Sequence, residues 1–366
     1  MGKKVRNIIC ILCFVAFIAA LIAAFVIKEP VTVLVSERRK AAQFPEFSAE
    51  AVMDKSFFDG FEDYLADQFP LRDGFRAVKS AIELKIFGQK DSGGTFIAEG
   101  HISEIQADLN EASVKNAAKK INSIYETYLK DNNCRVFYSV IPDKNYYLAE
   151  KNGYPSLDYE ALNGILESDV KNMEYIDISD CLTLDSFYKT DTHWKQEDIL
   201  PVAERLAEKM NFALTGEYNQ ENIGEFNGVY SSRFAFGAKK DKIICLRNNV
   251  TDSAKVFNAE KQIGYTGVYD TEKLEGNDKY DVFLSGAVSV ITAENPLAKE
   301  KRELVMFRDS FGSSLAPLLL EGYSKITLVD TRYIHPMMLG NFVDFENCDV
   351  LFIYNTQIFN QSNILK

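Results

Sequence analysis

Histidine and tryptophan are nearly missing from this chain: three of the first and one of the second in 366 residues. His101, His193 and His335 stand far apart, and outside the N-terminal apolar run no cysteine or histidine spacing fits a zinc site. No metal and no other cofactor is expected. Cysteine is sparse too. Cys10 and Cys13 lie in the apolar run, and Cys134, Cys181, Cys245 and Cys348 are scattered beyond it. That is no disulfide scaffold, and the last four allow three pairings among which spacing does not choose. Positive charge is in deficit: 41 Lys and Arg face 53 Asp and Glu, and the net charge of −12 becomes −15 once Lys3, Lys4 and Arg6 are set aside. That balance argues against nucleic acid, and against an anionic membrane surface, as the main partner. Repeats and low-complexity tracts are absent.

What the chain does have begins with an uncharged apolar run, Ile8–Ile27, behind those three cations. Twenty residues at 1.5 Å rise match a hydrocarbon core of about 30 Å, longer than a signal-peptide apolar region, and no Ala-x-Ala follows. The expectation is an uncleaved signal anchor over 8–27, a cytoplasmic tail over 1–7, and everything after Ile27 outside the cytoplasm. Residues 28–50, polar and carrying Pro30 and Pro45, read as a stalk. The remainder, 51–366, is long and apolar enough to bury a substantial core.

Within it, Phe57, Phe58, Phe61, Tyr64 and Leu65 recur at helical spacing until Phe69-Pro70. A second helix opens at Leu71-Arg72-Asp73, with Phe75, Val78, Ile82 and Ile86 on one face. A short strand over Thr95–Ala98 and a helix over Glu111–Leu129 follow. Arg135–Ile141 is a near-continuous apolar run, as a buried parallel strand is, and Pro142-Asp143-Lys144 sits at its carboxyl end, where open α/β sheets place ligands. Asp158–Asn172 reads as helix and Tyr175–Ile178 as strand. After Trp194 the pattern is helical again, starting late or kinking at Pro201. Residues 212–300 are the least regular and read as an antiparallel insertion.

Two stretches carry chemistry. In Tyr188-Lys-Thr-Asp-Thr-His-Trp194, Asp191 lies two residues from His193, close enough to accept a hydrogen bond from one ring nitrogen and leave the other as a base. In the second, the strand Leu304–Phe307 runs into Arg308-Asp309-Ser310-Phe311-Gly312 and then a helix. Ser310 thus stands at a helix start, among free backbone N–H groups and at the positive end of the dipole. By itself each stretch has a plain structural reading, a chance Asp-x-His and a helix cap. Together they are the complement that acyl transfer requires, with Ser310 as nucleophile, His193 as base and Asp191 as its orienting partner. Further candidates for substrate or oxyanion contact are Lys144, Trp194 beside the base, Arg332 after the strand Ile326–Val329, and Asn355 after the strand Val350–Tyr354.

Read together, Arg-Asp-Ser310-Phe-Gly and Asp191-Thr-His193-Trp resemble the DHHW family of the SGNH hydrolase superfamily, and within it the alginate O-acetyltransferases of exopolysaccharide assembly. Phe61-Glu-Asp-Tyr-Leu-Ala-Asp67-Gln-Phe-Pro-Leu-Arg72-Asp73, Pro142-Asp-Lys144, Phe283-Leu-Ser-Gly286 and Val329-Asp-Thr-Arg332-Tyr333 extend the resemblance from about residue 57 to the C-terminus. Thr192 replaces the first His of the family's Asp-His-His-Trp, and Arg308 stands where the superfamily usually has Gly. The order Asp, His, Ser is that of a permuted member. The resemblance implies a flavodoxin-like three-layer α/β/α domain with a parallel sheet. It also implies O-acetylation of a cell-envelope polysaccharide through an acyl-serine, the acyl groups being delivered by a membrane acyltransferase. The alternatives are a deacetylating carbohydrate esterase and a glycan-binding surface scaffold without turnover.

Overall fold

The computed structural model describes residues 2–34, 39–214, 217–231, 234, 239–276 and 278–366. It divides into two compact units: Met1–Ser92 with Ser231–Ala238, and Gly93–Tyr230 with Lys239–Lys366. The α/β unit therefore begins at Gly93, where the sequence pattern suggested residue 51. The reason lies in which side chains the early helices turn inward.

In the first unit, helix α1 (Lys3–Ile27) has no buried residue and is long and apolar enough to cross a membrane. Helix α2 (Ser56–Gln68) ends before Pro70, and helix α3 (Arg72–Ala81) continues into a π-helical turn over Ile82–Ile86. Their buried residues are polar. Asp67 and Gln68 close α2, and Ser80 is the buried residue of α3. The Gln68 amide bonds both the N–H (2.8 Å) and the C=O (2.9 Å) of Val31, and Asp67 accepts from Ala42 N–H. Val31 and Ala42, expected as part of a stalk, are thereby tied to the end of α2.

The second unit is built on an eight-stranded sheet. Its strands in chain order are β1 (Arg135–Ile141), β2 (Glu174–Tyr175), β3 (Lys255–Asn258), β4 (Ile263–Thr266), β5 (Val290–Glu294), β6 (Glu303–Arg308), β7 (Lys325–Val329) and β8 (Asp349–Asn355). Across the sheet they run β4-β3-β5-β7-β6-β8-β1-β2. From β7 to β2 every pairing is parallel, while β5, β3 and β4 add on antiparallel. The three antiparallel strands all lie within the 212–300 stretch that reads as an antiparallel insertion, and the other five form the expected parallel sheet. The links from β3 to β4 and from β5 to β6 are shorter than the dozen residues a parallel crossover needs.

Both faces of the sheet are buried. Val136, Tyr138 and Val140 of β1 join one core with α4 (Glu111–Ile124) and α5 (Tyr159–Asp169). Phe137 and Ile141 join the other with α6 (Leu200–Lys209) and α7 (Gly312–Leu319). Alternate residues feeding opposite cores is why the parallel strands read as unbroken apolar runs. Pro201 sits in the first turn of α6, where a missing N–H costs nothing. The expected strand over Tyr175–Ile178 is only the pair Glu174–Tyr175, because the chain turns away after Ile176 N–H bonds Tyr138 C=O. Register places Arg308 beside Ile353, and Asn355 beside Ile141, so the ends of β6, β8 and β1 share the carboxyl edge of the sheet.

Candidate active site

The segment Phe187–Trp194 is a tight loop closed by a bridge between its ends, with Tyr188 N–H on His193 C=O at 3.0 Å. It turns Asp191 and His193 toward one another. Asp191, fully buried, accepts from His193 Nδ1 at 2.6 Å and from His193 N–H at 3.1 Å through Oδ1, and from Val229 N–H at 2.9 Å through Oδ2. These three donors fix the orientation of the carboxylate. The other ring nitrogen, His193 Nε2, lies 2.7 Å from Ser310 Oγ. Asp191, His193 and Ser310 thus form one continuous hydrogen-bonded chain, the last two 117 residues apart in sequence.

The imidazole is held by aromatic contact as well. Tyr280 stacks on it, ring centroids 3.9 Å apart and planes 11° from parallel, and Phe311 leans on it at 4.9 Å. Burial pushes the Tyr280 phenol well above its ordinary value, so it stays protonated, and its hydroxyl meets Ser314 Oγ at 2.7 Å. Ser310 itself is half-buried at the junction of β6 and α7. Its turn is pinned by Asp309, which is buried and accepts Phe311 N–H at 2.9 Å and Asn355 N–H at 2.7 Å. Burial raises the Asp309 pKa despite those amides.

Arg308, in the place of the usual glycine, is fully buried and points away from the serine into an ion network. Its guanidinium donates to Gly286 C=O at 3.0 Å and sits 3.6 Å from Asp330, which Arg332 grips with two nitrogens at 2.9 and 2.6 Å. Burial lowers the Arg308 pKa, with Asp330 opposing it. The room for this side chain comes from Gly312: a Cβ there would stand 2.6 Å from Arg308 Cβ. The glycine of the serine block is what makes Arg308 tolerable.

Four expected substrate or oxyanion contacts are placed otherwise. Trp194 is fully buried, its Nε1 donating to Ser314 Oγ (2.9 Å) and Phe311 C=O (3.2 Å), so it braces the serine turn and has no face open for a sugar. Lys144 is buried behind the loop, donating to Asp191 C=O at 2.6 Å and Ile102 C=O at 2.9 Å. Burial pulls its pKa down to about 7, against the pull of the Asp191, Asp241 and Asp143 carboxylates. The Asn355 side chain caps the helix Thr356–Asn360 by accepting from Gln357 N–H, and donates to Ile141 C=O at 3.2 Å. Arg332 is spent on Asp330, which more than offsets the burial that would lower its pKa. Trp194, Lys144 and Asn355 are buried polar groups that have bound the nearest protein partner, as burial demands, and the partly buried Arg332 has done the same.

Sequence reading passed over Tyr280, Val229 and Gly228, all within the irregular 212–300 stretch. Gly228 lies so close to the Asp191 loop that a Cβ would stand 2.2 Å from Thr190 O and 2.4 Å from Asp191 N. A glycine, a valine amide and a tyrosine carry no local motif; only their positions give them a role. Among the described residues no three His, Cys, Asp or Glu side chains converge as a metal site.

Residues 37–143 match the family described as DHHW protein, a stretch that ends before Asp191. The chain thus carries a DHHW family domain, in agreement with the motif resemblance. Its fold is similar to that of a DHHW family protein from Eubacterium siraeum, at TM-score 0.63 and 20% identity, covering 75% of this chain and 94% of that one. It is also similar to Bacillus cereus PatB1, whose structure holds a sulfonyl adduct, at TM-score 0.55 and 14% identity over 74% and 97%. The O-acetyltransferase domain of Pseudomonas putida AlgJ aligns at TM-score 0.45 and 10% identity over 73% and 92%. No curated protein sequence matches the chain.

Proposed function

We propose that this chain, which carries a DHHW family domain, is a membrane-anchored serine O-acyltransferase that acts outside the cytoplasm and acetylates a cell-envelope polysaccharide. The observation that carries the reading is the unbroken hydrogen-bonded line Asp191–His193–Ser310 at the carboxyl edge of the sheet. The choice of acetyl and of polysaccharide rests on the motif resemblance to alginate O-acetyltransferases. The location rests on α1 with its preceding cations, which by the positive-inside rule keep Lys3, Lys4 and Arg6 in the cytoplasm.

In this reading Ser310 Oγ attacks the acyl carbonyl as its proton passes to His193 Nε2. Asp191, fixed by three donors, holds the Nδ1–H tautomer and steadies the imidazolium. The tetrahedral centre expels the donor's leaving group, which takes the proton from Nε2, and an acyl-serine remains. A sugar hydroxyl then gives its proton to the same nitrogen and attacks the ester carbon, and Ser310 Oγ leaves with that proton restored. The positive end of α7, directly after the serine, favours the negative charge on the carbonyl oxygen in both steps.

The test is acyl-enzyme formation by the full chain in detergent, with an aryl acetate as donor and intact-mass detection. One acetyl group should appear on the parent and none on Ser310→Ala. Transfer to an added oligosaccharide, in place of acetate release, marks the transferase. A sulfonyl fluoride should block both, since an activated hydroxyl attacks such electrophiles. Acylation or turnover that persists in Ser310→Ala overturns the assignment.

A further inference from the structure

The early helices are built with their polar residues inward. On α3 and its π-helical turn, Leu71, Phe75, Val78, Ile82 and Ile86 recur at helical spacing, and all face solvent, Ile86 at 72% exposure. Ser80, on the opposite side, is only 5% exposed. It bonds Ser92 Oγ at 3.0 Å, and the same hydroxyl meets Glu83 at 2.6 Å. On α2, Phe58 and Leu65 are exposed while Asp67 and Gln68 are buried. A water-facing surface helix shows the reverse pattern. A contiguous apolar face of this kind marks an interaction surface.

What covers it follows from the way α2 is tied to α1. Phe25, in the last turn of α1, meets Tyr64 of α2 edge-to-face with ring centroids 5.9 Å apart. Four residues past the end of α1, Val31 is clamped through both its backbone groups by Gln68. Tyr64 and the end of α2 therefore lie level with the terminal turn of the apolar helix. If α1 spans the membrane, that level is the lipid–water interface. Lys79 and Lys85 flank the apolar stripe of α3, where their stems can run along the acyl boundary with the ammonium groups toward the headgroups. An apolar stripe bordered by lysines is the chemistry of a helix lying in the interface. The chain is acidic as a whole, so apolar burial, with these lysines as a local exception, supplies the attraction.

We infer that α3 and the exposed face of α2 lie in the headgroup–acyl boundary of the membrane that α1 spans, as a second, in-plane attachment of the chain. This rests on the reading of α1 as a membrane span. The docked face enters about 5–10 Å into the boundary.

The lone Trp194 makes the test direct, because it is fully buried and serves as a constant background. The full chain is reconstituted into phosphatidylcholine–phosphatidylglycerol vesicles, with the lipid either unmodified or brominated on the upper part of its chains. Four proteins are compared: parent, Val78→Trp, Ile86→Trp and Phe17→Trp, the last in the middle of α1. All three added positions are solvent-exposed, so the tryptophan needs no repacking. Emission from the Val78→Trp and Ile86→Trp proteins should shift to the blue and be lost in shallow-brominated lipid, while the parent signal does not change. The Phe17→Trp protein should be quenched by bromine placed deep in the chains. Quenching of Phe17→Trp without loss at positions 78 and 86 overturns the docking and leaves α1 as a span, the apolar face then belonging to a protein partner. No quenching at position 17 overturns the span itself, and the docking with it.

Discussion

Asp191→Asn is the substitution on which the proposed chemistry bears most sharply. Among the described residues the carboxylate receives His193 N–H and Nδ1–H on one oxygen and Val229 N–H on the other. An asparagine has one accepting oxygen and one donating nitrogen in the same space. If the NH2 group faces Val229, two donors oppose each other and the negative charge that steadies the imidazolium is gone. If it faces His193, it opposes the backbone N–H and donates to Nδ1. The ring then carries its proton on Nε2, where it must accept from Ser310. Either orientation leaves one buried donor unpaired, worth about 1–3 kcal/mol of stability. The first orientation weakens general-base assistance by removing the charge that steadies the imidazolium and the second removes it through the wrong tautomer, assistance worth about 10²–10⁴-fold in rate. Aryl-acetate turnover at neutral pH, with chemical denaturation beside it, reads both quantities. A folded Asp191→Asn protein within about tenfold of the parent rate would refute the role given to Asp191, since such a loss lies below the range for general-base catalysis.

Further outcomes follow from the same geometry. Lys144→Met leaves Asp191 C=O and Ile102 C=O without their donor and should cost about 1–3 kcal/mol, with kcat falling more than KM rises as the loop loosens. The parent's stability should also climb between about pH 7 and 10.5, because there the unfolded chain binds the Lys144 proton that the folded chain has released; the Met variant should lack that component of the slope. Gly228→Ala drives a Cβ into Thr190 O and Asp191 N, all main chain, so it should destabilise by about 1–3 kcal/mol and slow turnover, as denaturation and rate assays would show. Cys134 and Cys348 hold their sulfurs 3.6 Å apart, just ahead of the paired residues Arg135 and Asp349. With glutathione disulfide as oxidant, non-reducing peptide mapping should find these two linked and Cys181 and Cys245 free; any other pairing would contradict the fold around β1 and β8.

Local pattern was enough for the parts of this chain whose environment is uniform along the element. The run Arg135–Ile141 reads as a strand and is one, since from Val136 onward both its faces are buried and all its positions but Ser139 are apolar. The break at Phe69-Pro70 and the late start of the helix at Pro201 follow from proline alone, which restricts its own backbone and the residue before it. The spacing of Asp191 and His193 likewise contains their mutual contact, because a tight loop between two bridged residues brings i and i+2 together.

Tertiary structure decided what depends on distant partners. Nothing within a few residues of Trp194, Lys144 or Asn355 reveals that each is buried, or that burial obliges each to bond the nearest protein group and so withdraws it from solvent. The antiparallel character of residues 212–300 is legible, but which of its strands join the main sheet, and beside which neighbour, is decided only by the pairing of β5 with β7 and of β3 with β5. Arg308 looked out of place in its block until the structure showed Asp330 beside it and Gly312 making room. The contact between His193 and Ser310 spans 117 residues, and the glycine, amide and aromatic ring that hold it come from a stretch without pattern. The residue types a hydrogen-bonded Asp–His–Ser line needs are legible in the sequence; its geometry belongs to the packing of loops on the sheet edge, where each position answers to a neighbour and not to a period.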